Sequence, residues 1–210
     1  MENNLLFLIL GLNFWLLYTN RISRHIGGIA IQSLLLGYLS LFLAISQNQD
    51  HFFWPGVLTL LFKGILVPGF MYYLLQKIRV SDLKASLLGP KLSVTFGILI
   101  VLLSYLETSK LELIAQTRQD YLPVALSTFL IGLVLMVLKQ KALLQVAGLI
   151  VMENGLYLLA IAIAPNLPFI IELGILFDIL VEVIIMGIFI FRINETFASS
   201  HVKNLQNLKG

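Results

Sequence analysis

An all-α polytopic membrane protein is the fold class this sequence predicts, with about seven transmembrane helices, the N-terminus outside and the C-terminus inside. Three observations predict it. Apolar runs close to the ~20 residues a helix needs to cross a bilayer recur along the whole chain. Charged residues are 12% of the 210 and hydrophobic residues 59%, and the charged share is about half that of a soluble domain. Lysine and arginine fall almost entirely in alternate loops, as the positive-inside rule requires.

The spans are expected at 4–20, 26–46, 53–76, 91–106, 122–138, 142–163 and 169–192. Helices are the default because lipid offers the backbone no hydrogen-bond partner. The first span lacks a basic n-region and a small-residue cleavage site, so it reads as retained rather than as a signal peptide. The second carries Gln32 and Ser33. The third reads LTLLFKGILVPGF and places Lys63 beside Pro68. Proline cannot donate to the carbonyl of Gly64, which predicts a kink beside the lysine. The fourth and fifth spans are short, and the fifth carries Ser127 and Thr128, read as packing groups. The sixth contains LIVMENGLYL, with Glu153 near its middle. Gly155 permits close helix approach, and Asn154 points about 100° from Glu153, toward a different neighbour. APNLP joins the sixth span to the seventh as antiparallel neighbours.

Eleven of the fourteen basic residues lie on one side of these spans and two on the other, with Lys63 inside the membrane. That asymmetry sets the orientation. Residues 1–210 read as a single integral membrane domain: spans one to four over 1–120, a three-helix unit over 121–192, and a cytoplasmic tail over 193–210. The long outer loop ETSKLELIAQTRQDY reads equally as an interfacial helix or a plain polar loop. Val202, Leu205 and Leu208 in the tail follow a three-residue spacing, which suits a short amphipathic segment on headgroups or a partner. A frayed terminus fits the tail equally.

There is no cysteine. That excludes disulfides, thiolate metal sites, iron–sulfur ligation and cysteine nucleophiles. The three histidines are far apart and read as loop and tail residues, so no metal site is expected. No nucleophile–base pair or phosphate loop marks a catalytic site, the chain is expected to carry no cofactor, and the net charge of +3 requires no nucleic-acid partner.

Five ionisable residues lie within the spans: Lys63, Glu153, Glu172, Asp178 and Glu182. At ~1.5 Å of rise per residue, Lys63, Glu153 and Asp178 all fall about 13–16 Å from a span end, near the midplane of a ~30 Å core. Glu182 is one turn from Asp178 on the same face, and Glu172 lies near the outer mouth. Acids at this depth are costly in lipid, so Glu153 is expected to face Asp178 and Glu182, with Lys63 nearby. Carboxylates clustered in low dielectric cannot all ionise. A shared proton there can be loaded and unloaded near physiological pH, which makes these five a candidate proton relay. The competing reading is structural: one ion pair plus protonated acids holding helices together.

MENGLYLL in the sixth span, FDILVEVIIMGIFIFRINETF in the seventh and LTLLFKGILVPG in the third together resemble the E component of hydrogenase-4, of the formate-hydrogenlyase type. Spans five to seven are also similar to the small K-type subunit of respiratory complex I and its counterpart in multisubunit cation/proton antiporters. In that subunit two helices each carry a membrane-embedded glutamate; Glu153 and Glu182 sit on similar helices here, and Asp178 is an addition. The resemblance implies a multi-pass subunit of a bacterial or archaeal cytoplasmic membrane with no redox cofactor of its own. It implies partners of quinone-chamber-like and antiporter-like type, a nickel–iron hydrogenase arm reached through the complex, and coupling of proton or sodium movement to redox turnover. An antiporter subunit without a redox arm and a non-conducting assembly subunit are the alternatives.

Overall fold

The computed structural model describes residues 2–47, 49–78, 86–109 and 120–163, with positions 174, 177, 178, 180, 181, 184, 185 and 188 of the last span. The elements are α1 (Glu2–Tyr18), α2 (Ile22–Ser46), a 3₁₀ turn (Asp50–Phe52), α3 (Phe53–Leu58), a π-helical segment (Thr59–Leu66), α4 (Val67–Ile78), α5 (Pro90–Thr108), α6 (Tyr121–Leu138) and α7 (Ala142–Ile163). The described positions of the last span are helical. Among the described residues there is no strand, only an isolated bridge between Ser86 and Lys139. The chain is therefore an all-α polytopic membrane protein. Among the described residues, five helical stretches are long and apolar enough to cross a bilayer: Ile22–Ser46, Asp50–Gln76, Pro90–Thr108, Tyr121–Leu138 and Ala142–Ile163. Helix α1 has 17 residues.

The observed helices track the expected spans, with two changes. Around Lys63 the third span is not a plain proline kink. It widens into eight residues of π-helix, and the amide of Val67 reaches back to the carbonyl of Phe62. Proline removes the i→i−4 bond at Gly64 and crowds its carbonyl. Shifting to i→i−5 bonding before Pro68 accommodates that loss within a continuous helix. His25 is a second change: it lies in the first turn of α2, buried, rather than in a loop.

Helices α6 and α7, joined by the short turn at 139–141, form the closest pair. A Cβ on Gly132 would collide with the backbone of Met152, and one on Gly155 with the backbone of Phe129. The two backbones approach because neither position carries a side chain. Helix α5 is held more loosely. Its buried residues are the small Ser93, Gly97 and Ser104, and Gly97 meets Leu17 and Phe14 of α1.

The interior is layered along the helix axes. One apolar cluster contains Leu6, Ile9, Leu39, Leu43, Phe52, Ala125 and Ile161. The other contains Leu16, Ile29, Leu74, Ile131, Leu144 and Ile150. Between them, at one level of α1, α2, the π-helical segment, α6 and α7, lie the buried polar groups Asn13, Gln32, Ser33, Lys63, Thr128, Glu153 and Asn154. Glu2, Asp50, Glu107 and Asp120 lie at one end of the helices, and Arg21, Arg24, Lys91, Lys139 and Lys141 at the other. The polar layer thus sits at mid-depth between an acidic and a basic end.

Candidate functional site

Lys63 projects from the π-helical segment into the polar layer and is 5% exposed. Its Nζ donates to Asp178 Oδ2 at 2.6 Å. Glu153 Oε2 lies 3.2 Å from the same nitrogen. The separation is that of an ion pair, yet the oxygen lacks the direction needed for a hydrogen bond. Distance rather than alignment governs Coulomb attraction, so Glu153 counts as a partner, and the looser one. The side chains of Lys63 and Glu153 are 6% and 4% exposed and that of Asp178 15%. One cation thus bridges two carboxylates from different helices. The expectation that Glu153 faces Asp178 directly becomes a lysine-mediated contact. Glu172 and Glu182 lie outside the described residues.

π-Helical turns are often found at functional sites. Thr59 and Gly64 are buried beside Lys63 in the same segment.

A second, neutral network adjoins the ionic one. Asn154 Nδ2 donates to Gln32 Oε1 and to Ser33 Oγ, each at 3.2 Å. Gln32 Nε2 donates to Asn13 Oδ1 at 2.8 Å, Asn13 Nδ2 to Thr128 Oγ1 at 2.8 Å, and Thr128 to the carbonyl of Val124. The chain therefore ties α7, α2, α1 and α6 together at one depth. Asn154 does bond a neighbour other than that of Glu153, as its position on the helix predicts. One turn further along α7, Tyr157 donates to Ser40 Oγ at 2.7 Å, and Ser40 donates to the carbonyl of Phe52 at 2.8 Å.

Sequence reasoning missed Asn13, Ser40 and Tyr157. Asn13, in the middle of the first span, was the available signal, since a buried amide in lipid needs a partner. The hydroxyl groups carried no such signal, because serine and threonine can bond their own helix.

Residues 120–210 match the family model described as NADH-ubiquinone/plastoquinone oxidoreductase chain 4L. Over 212 aligned residues the chain is 31% identical to "Hydrogenase-4 component E" of Escherichia coli (strain K12), covering 99% of this chain and 97% of that protein. The chain belongs to the hydrogenase-4 component E family. The component E of Shigella flexneri matches at the same identity and coverage. An uncharacterized protein of Mycobacterium tuberculosis (strain ATCC 25618 / H37Rv) is 23% identical over 184 residues, 86% of this chain and 83% of that protein. No solved structure matches. Within this family member, the stretch shared with chain 4L holds Glu153 and Asp178, while Lys63 comes from outside it. The ionic site is therefore assembled from both halves of the chain.

Among the described residues no group of histidine, aspartate and glutamate is arranged to hold a metal ion. What the arrangement offers is proton chemistry: one ammonium and two carboxylates with little solvent access, in a layer closed on both sides by apolar packing.

Proposed function

We propose that this chain is a connecting membrane subunit of a hydrogenase-4-like, complex I-like assembly, and that Lys63, Glu153 and Asp178 pass protons (or sodium) within it during redox turnover. Glu172 and Glu182 belong to the same proposed relay. The observation that carries the reading is the shared lysine: a 2.6 Å contact to Asp178 and a 3.2 Å contact to Glu153 at mid-depth. Protonating either acid releases the ammonium toward the other, so the charge can move without leaving the site.

The neutral network strengthens this reading against a purely structural one. The amide chain from Asn154 to Thr128 already ties four helices at that depth. Holding helices together therefore does not require the charged groups, whose burial is expensive. In this proposal the basic end faces the cytoplasm of a bacterial or archaeal cell. Antiporter-like and quinone-chamber-like subunits lie alongside, and the redox centres belong to partners, in keeping with a chain that has no cysteine.

The test is proton movement in vesicles alongside redox turnover, with assembly measured in parallel. Glu153→Gln and Asp178→Asn keep volume and hydrogen bonding but cannot take up and release a proton. Assembled complexes with turnover but at least tenfold less proton movement are expected; normal coupling in both variants would refute the relay. Co-purification with a nickel–iron subunit tests the assembly, and a reporter after Gly210 that is active outside the cell would reverse the orientation.

A further inference from the structure

Helices α5 and α6 leave a cleft of about 230 Å³ between them, walled by Leu88, Phe96, Leu133, Val134, Val137 and Leu138 with no polar lining. It opens sideways, since Phe96 is 45%, Leu133 37% and Val137 72% exposed. At one end it is closed: the amide of Leu87 donates to the carbonyl of Leu138 at 2.8 Å, and Ser86 pairs with Lys139. That closed end lies at the basic end of the helices. Lys91, exposed in the first turn of α5, follows the lining residue Leu88 by three positions. Lys141 follows the lining residue Leu138 by three positions. Among the described residues Arg21 and Arg24 share this end, and every described acid lies at mid-depth or at the other end.

An occupant of this cleft must be apolar along its length and anionic at one end. We infer that the α5–α6 cleft is a binding site for an anionic phospholipid, one acyl chain lying against Phe96, Leu133 and Val137 and the phosphate drawn to the basic end beside Lys91. Three features favour a lipid over a partner helix. The cleft accommodates a chain rather than a helix of ~10 Å diameter. Its wall has no small-residue seam of the kind that helix pairs use in membranes. A basic margin at the headgroup level attracts anionic lipid by about fivefold in affinity per lysine.

The test uses the complex in native-like membranes and two photoactivatable probes with the same diazirine-bearing chain, phosphatidylglycerol and phosphatidylcholine. Adducts are mapped to peptides by mass spectrometry. Phosphatidylglycerol should label the cleft peptides several-fold more than phosphatidylcholine, and Lys91→Gln should lower that preference about fivefold. Leu133→Trp, which fills the cleft, should remove the cleft adducts and spare those at exposed positions such as Tyr72 and Leu156. Val137→Trp, at a more exposed wall residue, should do the same if Leu133→Trp does not assemble. Equal labelling by the two probes would overturn the site, as would unchanged adducts in an assembled tryptophan variant. So would loss of a partner subunit from that variant, which would place a protein helix there.

Discussion

Replacing Lys63 by methionine keeps most of the stem and removes the one charge that the two acids share. At an effective dielectric of about 20, unit charges at the observed 2.6 and 3.2 Å attract by roughly 6 and 5 kcal/mol. Much of that offsets the cost of desolvating the ammonium. Breaking a buried ion pair by removing one partner costs about 3–5 kcal/mol net, because the remaining charge is left uncompensated. Here two carboxylates are left, with side chains 4% and 15% exposed. The Lys63→Met penalty should therefore be about 3–5 kcal/mol. At roughly 2–4 °C per kcal/mol for a chain of this length, that is a drop in Tm on the order of 10 °C. Thermal unfolding of the purified wild-type and variant complexes is the assay. Equal Tm values would refute the shared-lysine account.

Three further outcomes follow from other parts of the fold. Gly155→Val should prevent normal α6–α7 packing, because the new Cβ meets the backbone of Phe129, which cannot turn aside as a side chain would. The cost should be at least about 1–3 kcal/mol, read as loss of assembled protein in membranes, and Gly11→Val, with open space around it, is the control. Asn154→Leu should cost about 1–3 kcal/mol in Tm measurements, because Gln32 Oε1 loses the Asn154 amide as donor; adding Gln32→Leu should cost less than the sum of the two single changes. Lys139, in the turn after α6, is buried and donates to the carbonyl of Thr19 at 3.0 Å and Asn20 Oδ1 at 3.3 Å. Burial lowers its pKa from 10.5 to about 8. The unfolded chain then binds more protons between about 8 and 10.5, so stability rises with pH across that window and is lowest, through this group, below it. Wild-type Tm should climb from pH 8 to 9.5 relative to Lys139→Met; parallel curves would contradict this.

Much of the fold was legible in the amino-acid order, and for a definite reason. In lipid a chain must hydrogen-bond its own backbone, so an apolar run of sufficient length is a helix whatever its neighbours do. Ile22–Ser46 and Ala142–Ile163 begin or end within a few residues of their expected bounds. The depth of Lys63, Glu153 and Asp178 was legible too, since rise per residue is constant within a helix. Pro68 announced a local fault beside Lys63, but not its form. Whether a proline bends a helix or widens it depends on what packs against the freed carbonyls.

Partners across helices were not legible. Periodicity gives a residue's angle about its own axis and says nothing of which neighbour fills that direction. Adjacency in sequence pointed from Glu153 to the acids of the next span. Packing instead interposed Lys63, ninety residues earlier in the chain. The amides of Asn13, Gln32 and Asn154 lie on three spans with no shared motif, and they meet because an unbonded amide in an apolar interior costs more than the ordering needed to pair it. Length, hydropathy and proline placement by themselves determined an all-α membrane protein and the depth of its charges. Only the tertiary structure decided that one lysine serves two carboxylates, because that choice belongs to the helix packing and not to any single helix.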